Sequence, residues 1–191
     1  SSILELLKYF LGVVLVIFTH FLIVYIPLVR FLGKVNIKKF VNGIKQIVLF
    51  AFSTSSSSAT IPVTLQNLNK NFNVKSKISS FTVPLGATIN MDGTAIMQGM
   101  ATIFIANIYN IDLLFSDYLS IILTATLASV GTAGVPGVGI IMLGMVLNQV
   151  GLPLEGIAIV IGVDRLLDML RTSLNVSGDA MVTLVVNKSE K

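Results

Sequence analysis

Uncharged, largely apolar stretches alternate along the chain with short clusters of charged residues. Residues 9–29 carry no formal charge and are bounded by Lys8 and Arg30. At about 1.5 Å per residue, a helix of this length spans about 30 Å, the thickness of the hydrocarbon core of a bilayer. The pattern therefore predicts a transmembrane helix within residues 1–33.

The next uncharged stretch, residues 46–69, is interrupted in its middle by "STSSSSAT", residues 53–60. The apolar flank on each side of the serines is too short to cross a bilayer. Non-helical backbone is tolerated at membrane depth only where protein or a water-filled cavity satisfies its polar groups. We therefore predict a cytoplasmic loop and a re-entrant hairpin within residues 34–77, with the serines at its tip. The alternative is an exposed serine-rich linker.

Three further segments complete the pattern. Residues 78–111 are interrupted by "GATINMDGT", which indicates a broken transmembrane helix. Residues 118–154 are uncharged, and the glycines of "GTAGVPGVG" at their centre permit a tight tip, which indicates a second re-entrant hairpin. Helix–helix packing is the alternative role for those glycines. Residues 157–186 are predicted to form a last transmembrane helix, followed by a cytoplasmic tail at 187–191.

The positions of the charged residues support this topology. If each hairpin enters and leaves the membrane on the same side, with the two hairpins on opposite sides, ten of the thirteen basic residues lie on one face and only Lys8 lies opposite. The acidic loop with Asp112 and Asp117, together with Glu155, then lies on the other face. The positive-inside rule places the basic face in the cytoplasm of a multi-pass protein of the plasma or inner membrane.

A hairpin followed by a spanning segment occurs twice, in opposite orientations. This inverted repeat is typical of secondary transporters, whose sites lie near the bilayer midplane where broken helices meet. We therefore expect an all-α integral membrane fold with a transport site between the two hairpin tips.

Composition agrees with a membrane protein. The chain is 54% hydrophobic and 12% charged, whereas soluble domains carry about 25% charged residues. Because cysteine is absent, disulfides, thiol nucleophiles and thiolate metal sites are excluded. His20, the single histidine, lies in an apolar run, which argues against a histidine-based metal cluster. The positive charges lie in loops on one face, so we expect no nucleic-acid partner. The start at Ser1, without methionine, suggests a fragment of a longer protein.

The last predicted helix carries a polar seam. At about 100° per residue, its polar side chains fall within an arc of about 100°, with Arg165 at the border; they are Asp164, Asp168, Arg171, Thr172, Asn175 and Asp179. Ionisable groups inside a bilayer are costly unless paired, and they mark substrate or ion paths. Arg171 suits bidentate binding of a carboxylate and Asp168 suits an ammonium group. The alternative is that these two residues only neutralise each other.

The "GATINMDGT" segment concentrates oxygen ligands, and carbonyls freed where a helix unwinds add more. Sodium requires such hard oxygen ligands, so the segment is a candidate cation site. An alternative role for Asp92 is a proton relay. The residues that supply glycine flexibility or oxygens are Gly86, Thr88, Asn90, Asp92, Gly93 and Thr94.

Four motifs, in this order, resemble those of the dicarboxylate/amino acid:cation symporter family, the glutamate and aspartate transporters. They are "SSSSATIPVT", "PLGATINMDGTA", "SVGTAGVPG" and "DRLLDMLRTSLNVSGD". The resemblance covers essentially the whole chain and matches the C-terminal half of the family. It implies an elevator-type transport domain and a symporter rather than an enzyme. It also implies a scaffold from an N-terminal part of the same protein and a homotrimer in the lipid bilayer.

The resemblance also implies roles for individual residues. Arg171 would bind the substrate side-chain carboxylate and Asp168 the α-amino group. Further substrate contacts would come from Ser55, Ser57, Thr94, Val135, Gly139, Thr172 and Asn175. One sodium ion would be bound by Gly86, Asn90, Asn175 and Asp179, and a second by Thr88, Ser129, Val130 and Thr132, mainly through backbone carbonyls. A third would involve Asn90 and Asp92, completed by an earlier helix.

Differences within the family bear on specificity. Relatives that carry C4-dicarboxylates differ at the Asp168 position, and those that carry neutral amino acids tend to lose the equivalent of Arg171. Because both residues are present, we expect an acidic amino acid. Many prokaryotic members have arginine where Ser55 stands, and animal members have one where Met169 stands. Arg165, one turn earlier, is hypothesised to serve a similar role, and counter-ion use stays open.

The leading hypothesis is therefore a sodium-coupled symporter of aspartate or glutamate. A proton-coupled glutamate or dicarboxylate symporter of the same fold is the nearest alternative. An anion channel would need a continuous polar pore rather than two closing hairpins. An intramembrane hydrolase is disfavoured because no serine–histidine or serine–lysine pair lies near the polar seam. We expect the 191 residues alone not to transport.

Overall fold

A computed structural model describes residues 2–190, which form α-helices joined by short turns, without a strand in this range. The first helix, α1 (Ser2–His20), continues through two π-helical segments, Phe21–Tyr25 and Leu28–Leu32. Within the described range, the helix Ile3–Leu32 is the one both long and apolar enough to cross a membrane. The remaining helices are α2 (Ile37–Thr54), α3 (Ser57–Phe72), α4 (Ser76–Ile89), α5 (Asp92–Ile108), α6 (Phe115–Val130), α7 (Val138–Gln149) and α8 (Ile157–Ser189).

The serine-rich segment is a tight helix–turn–helix connection. Ser55 adopts the left-handed conformation at the end of α2, and Ser56 caps α3 by accepting a hydrogen bond from Ala59 N at 3.1 Å. Helices α2 and α3 pack against each other. Serine side chains suit this position because their hydroxyls satisfy free amides at a helix start. Whether this helical hairpin re-enters the bilayer stays a prediction.

Helix α2 begins earlier than the uncharged stretch suggests. The Asn36 side chain accepts hydrogen bonds from the backbone of Lys38 and Lys39, so both lysines lie in the first turn of the helix rather than in a loop. An N-terminal capping residue, rather than hydrophobicity, therefore sets this boundary.

Two further interruptions between helices follow along the chain. Helices α4 and α5 are separated by a break at Asn90 and Met91, whose backbone angles are not helical. Helices α6 and α7 pack side by side and are joined by the glycine-rich segment at residues 131–137, in which Gly137 has φ +80°. Here glycine is required by the left-handed backbone.

Helix α8 lies at the centre of the fold. It packs against α1, α2, α3, α4, α5 and α7. From Asp164 onward most of its residues are buried, including polar ones. The outer surface of the bundle is apolar instead, with Leu15, Ile122 and Leu127 each more than 60% exposed. A polar centre inside an apolar surface is the arrangement expected of a protein that lies in lipid.

Candidate functional site

The polar seam of α8 contains a buried charged cluster. The Arg171 guanidinium donates from Nη1 to Asp164 Oδ1 at 2.7 Å and from Nε to Asp168 Oδ1 at 3.0 Å. Arg171 is 1% exposed. Because a buried charge is costly without a partner, the two carboxylates are what stabilise the guanidinium at this depth.

One nitrogen of this guanidinium remains available. Within residues 2–190, the buried Arg171 Nη2 has no hydrogen-bond partner. A Cβ atom placed on Gly139 would lie 3.2 Å from Nη2, and one on Gly93 would lie 2.6 Å from the Arg171 carbonyl oxygen. Both glycines therefore let α5 and α7 approach the arginine closely. The guanidinium therefore keeps a free donor close to Gly139 at the start of α7.

A small pocket surrounds this donor. It is lined by all nine residues that the sequence predicts to contact substrate, which are Ser55, Ser57, Thr94, Val135, Gly139, Asp168, Arg171, Thr172 and Asn175. Met91, Thr132, Ala133 and Gly134 complete the lining. The cavity has a volume of about 10 Å³, which holds about one water molecule. An amino acid therefore enters only if part of the lining moves.

The two hairpin tips close the pocket by direct contact. Ser56 Oγ and Ser58 N both donate to the Gly134 carbonyl, at 2.7 and 3.0 Å. A Cβ atom on Gly134 would lie 2.8 Å from the Ala87 carbonyl oxygen, so this tip also touches the end of α4. On the other side, Gly137 N donates to Asp168 Oδ2 at 3.0 Å. Residues 131–137 therefore cover the pocket through a few hydrogen bonds.

The first predicted sodium-binding set is brought together at the break between α4 and α5. Asn90 Nδ2 donates to Asp179 Oδ1 at 3.0 Å and to the Asn175 carbonyl at 2.9 Å. A Cβ atom on Gly86 would lie 2.5 Å from Asp179 Oδ1. The four residues thus lie together, with the amide nitrogen of Asn90 facing the Asn175 carbonyl and the Asp179 carboxylate. Carbonyl and carboxylate oxygens of this kind suit a hard cation.

The second predicted set is less compact. Ser129 and Thr132 are buried at the end of α6, whereas Thr88 and Val130 are exposed. The Thr88, Ser129 and Thr132 hydroxyls donate to carbonyls of their own helices, those of Leu85, Thr126 and Ala128. A cation here would therefore rely on backbone carbonyls, of which the last turn of a helix leaves several free.

Asp92, from the third predicted set, is bound by the first helix. Its Oδ2 accepts from Tyr25 Oη at 2.8 Å and lies 3.0 Å from His20 Nε2. Neither partner belongs to the predicted site. Within the described range, no group of three or more histidine, aspartate or glutamate side chains converges in a way that suits a metal ion.

Some residues in or beside the pocket have no role in the prediction from the sequence. Asp164 lies on the predicted seam without an assigned function, and no role is predicted for Met91, Ala133 or Gln98. Gln98 is fully buried and donates to the Gly139 carbonyl at 3.1 Å. A signal was present, because Gln98 follows Thr94 by four residues and so shares its helix face. Arg165, in contrast, is exposed on the outer side of α8.

Comparison with known proteins identifies the family. The profile of the sodium:dicarboxylate symporter family matches residues 1–189. The chain is 44% identical over 178 residues to excitatory amino acid transporter 1 of Rattus norvegicus, covering 93% of this chain and 33% of that protein. It is 47% identical over 151 residues to excitatory amino acid transporter 5 of Homo sapiens, covering 79% and 27%.

A putative sodium-dependent excitatory amino acid transporter of Caenorhabditis elegans is 42% identical over 184 residues, covering 96% of this chain and 37% of that protein. The chain therefore belongs to the sodium:dicarboxylate symporter family, a family of membrane transporters, and the family prediction from the four motifs is confirmed. The chain spans about a third of the length of the curated relatives it matches.

Proposed function

We propose that this chain supplies the substrate and cation sites of a sodium-coupled symporter of acidic amino acids. The observation that carries the proposal is the buried Arg171 guanidinium, which lines the pocket together with the other eight predicted substrate residues and whose Nη2 has no hydrogen-bond partner within residues 2–190. A carboxylate is the ligand best matched to such a donor. The names of the similar transporters support the same substrate class.

The pocket offers partners for each charged group of aspartate or glutamate. The side-chain carboxylate would bind Arg171, and the ammonium group would bind Asp168. The carboxylate of Asp168 accepts two hydrogen bonds, and an ionised carboxylate has about four acceptor positions, so capacity remains for the ammonium group. The α-carboxylate would lie near Ser57 at the start of α3, where free amides and the helix dipole favour an anion.

The clusters around the α4–α5 break support the proposal of sodium coupling. The set with Asn90, Asn175 and Asp179 shares Asn175 with the substrate pocket. Because Asn175 lies in both, an ion bound by its carbonyl would fix the helix segment that forms the pocket. This gives a physical reason for ion and substrate to bind together, since each orders a structure that the other requires.

We further propose that the α2–α3 and α6–α7 hairpins are re-entrant and that the α6–α7 tip is the lid. Hydrogen bonds to the Gly134 carbonyl and from the Gly137 amide hold that tip over the pocket. Movement of this domain against a scaffold from another part of the protein would then carry the closed site across the bilayer. A homotrimer in the plasma or inner membrane belongs to the same proposal.

Uptake of radiolabelled L-aspartate tests this proposal. Proteoliposomes holding the full-length protein that contains this sequence receive a sodium gradient or a proton gradient in separate experiments. We expect uptake driven by sodium. Uptake driven only by protons would contradict sodium coupling and would make Asp92 or Asp179 a proton carrier. Uptake under neither gradient would contradict the assignment of an acidic amino acid as substrate.

Two variants on α8 make the test specific. Arg171→Ala removes the proposed carboxylate ligand and should abolish aspartate uptake. Lys188→Ala removes a cation from the same helix at an exposed position far along the chain and should transport as the wild type does. Equal loss in both variants would show damage to the fold rather than removal of a ligand.

A further inference from the structure

Helix α1 reaches the candidate cation region through two side chains that have no place in the predicted site. His20, the only histidine in the chain, and Tyr25 both contact the same oxygen, Asp92 Oδ2, at 3.0 and 2.8 Å. Their rings meet edge to face, with centroids 5.1 Å apart. We call His20, Tyr25 and the helix between them the α1 clamp.

The π-helical segment explains why residues five apart can share one partner. In an α-helix, five residues correspond to a rotation of about 500°, so the two side chains would point about 140° apart. In the segment Phe21–Tyr25 the backbone bonds run from residue i to i+5, as shown by Ile26 N donating to the Phe21 carbonyl. This wider turn brings residues five apart to nearly the same face, and such turns occur frequently at functional sites.

Tyr25 also links Asp92 to the first predicted sodium set. Its side chain is fully buried. A Cβ atom added to Gly178 would collide with both Tyr25 Oη and Asn90 Nδ2, so these two groups lie side by side over the glycine. Asn90 in turn donates to Asp179. A continuous chain of contacts therefore runs from Asp92 through Tyr25 and Asn90 to the Asp179 carboxylate of α8.

We propose that His20 and Tyr25 are positioning residues that fix the Asp92 carboxylate for cation binding. This inference rests on the proposed function. The clamp occupies Oδ2, whereas Oδ1 makes no hydrogen bond to residues 2–190 and the Asp92 side chain is 38% exposed. One carboxylate oxygen is thus held by the protein and the other is left for an ion. Partners that orient a metal ligand in this way are worth about 10-fold or more in metal affinity.

The test is sodium binding by the full-length protein that contains this chain, measured without substrate. Thermal stability is recorded against sodium concentration, with choline chloride holding the ionic strength constant. Tyr25→Phe removes one hydroxyl and keeps the buried ring. We expect it to raise the sodium concentration at half-maximal stabilisation by about 10-fold. His20→Ala should act in the same direction, and His20→Gln, which retains an N–H donor, should recover most of the affinity.

Tyr9→Phe is the matched control, because Tyr9 is a buried tyrosine of the same helix whose ring stacks on Phe104. It should bind sodium as the wild type does. A merely structural role of the clamp would lower stability at zero sodium and leave the sodium midpoint unchanged, which would overturn the inference. Sodium midpoints within twofold of wild type in both Tyr25→Phe and His20→Ala would overturn it too.

Failure of the clamp proposal can be distinguished from failure of the proposed function. If the wild-type protein shows no sodium-dependent stabilisation at all, sodium coupling itself is contradicted. If the wild type responds and the clamp variants respond identically, only the clamp is wrong. Aspartate uptake at saturating sodium gives a second readout, in which the clamp variants should keep their maximal rate and require more sodium to reach it.

Discussion

Arg171 satisfies two requirements that oppose each other. It is buried deeply enough to need counter-charges, which Asp164 and Asp168 provide, and it retains one nitrogen for a ligand. The helical period was sufficient to predict that these residues share a face. It was not sufficient to predict which carboxylate contacts which nitrogen, because residues three and seven positions away both lie within reach. That choice depends on side-chain rotamers, which the sequence pattern does not encode.

Asp164 is predicted to anchor the guanidinium. Asp164→Ala leaves Nη1 without its partner in a buried environment, which typically costs about 1–3 kcal/mol. Asp164→Asn retains an acceptor oxygen and should cost less. The measurement is the melting temperature of the purified full-length protein, expected in the order wild type, Asp164→Asn, Asp164→Ala from highest to lowest. Asp112→Asn, an exposed change, is the control. If Asp164→Ala has the same melting temperature as this control, the anchoring role is contradicted.

At the scale of the elements, the interruptions between the helices are more important for the candidate site than the helices themselves. The sequence predicted the hairpins and the α4–α5 interruption because serine, glycine and asparagine interrupt apolar stretches there. It did not predict the π-helical turns of α1, because no residue type specifies them. The contact of α1 with Asp92 depends on these turns, so it could not be predicted from the sequence either. The contact between Gly134 and the start of α3 joins residues 78 positions apart, and no local pattern reports such a distance.

The close approach of α4 to α8 is predicted to be essential for the first sodium set. In Gly86→Ala the new Cβ would lie 2.5 Å from Asp179 Oδ1, so the carboxylate must shift. We expect a several-fold increase in the sodium concentration needed for half-maximal aspartate uptake. Gly162→Ala is the control, because within the described chain no atom outside its own helix backbone lies within 4 Å of the new methyl group. Equal sodium requirements in both variants would contradict the assignment of Gly86 and Asp179 to this set.

At the scale of the whole molecule, the described helices enclose a polar centre within an apolar surface. The distribution of charges predicted which loops share a side. One contact supports that grouping, since Lys75 N donates to Asn187 Oδ1 at 3.3 Å and joins the α3–α4 loop to the end of α8.

The topology can be tested directly because the chain has no cysteine. Single cysteines at Lys34, Lys75 and Lys188 should react with a membrane-impermeant maleimide from one side of the membrane. Cysteines at Asp112 and Glu155 should react only from the other side. This pattern requires each helical hairpin to return to the side of the membrane from which it starts. If the cysteines at positions 75 and 112 are labelled from the same side of the membrane, the topology is contradicted.

The central claim is that Arg171 binds the side-chain carboxylate of the substrate, and amino acid binding in saturating sodium tests it most directly. Calorimetry compares L-aspartate with L-asparagine, which lacks the side-chain charge, in wild type and in Arg171→Ala. We predict that the wild type prefers aspartate by about 100-fold, which corresponds to about 2.7 kcal/mol, and that the variant loses this preference. If Arg171→Ala still prefers aspartate by the wild-type factor, another residue binds the carboxylate and the account is wrong.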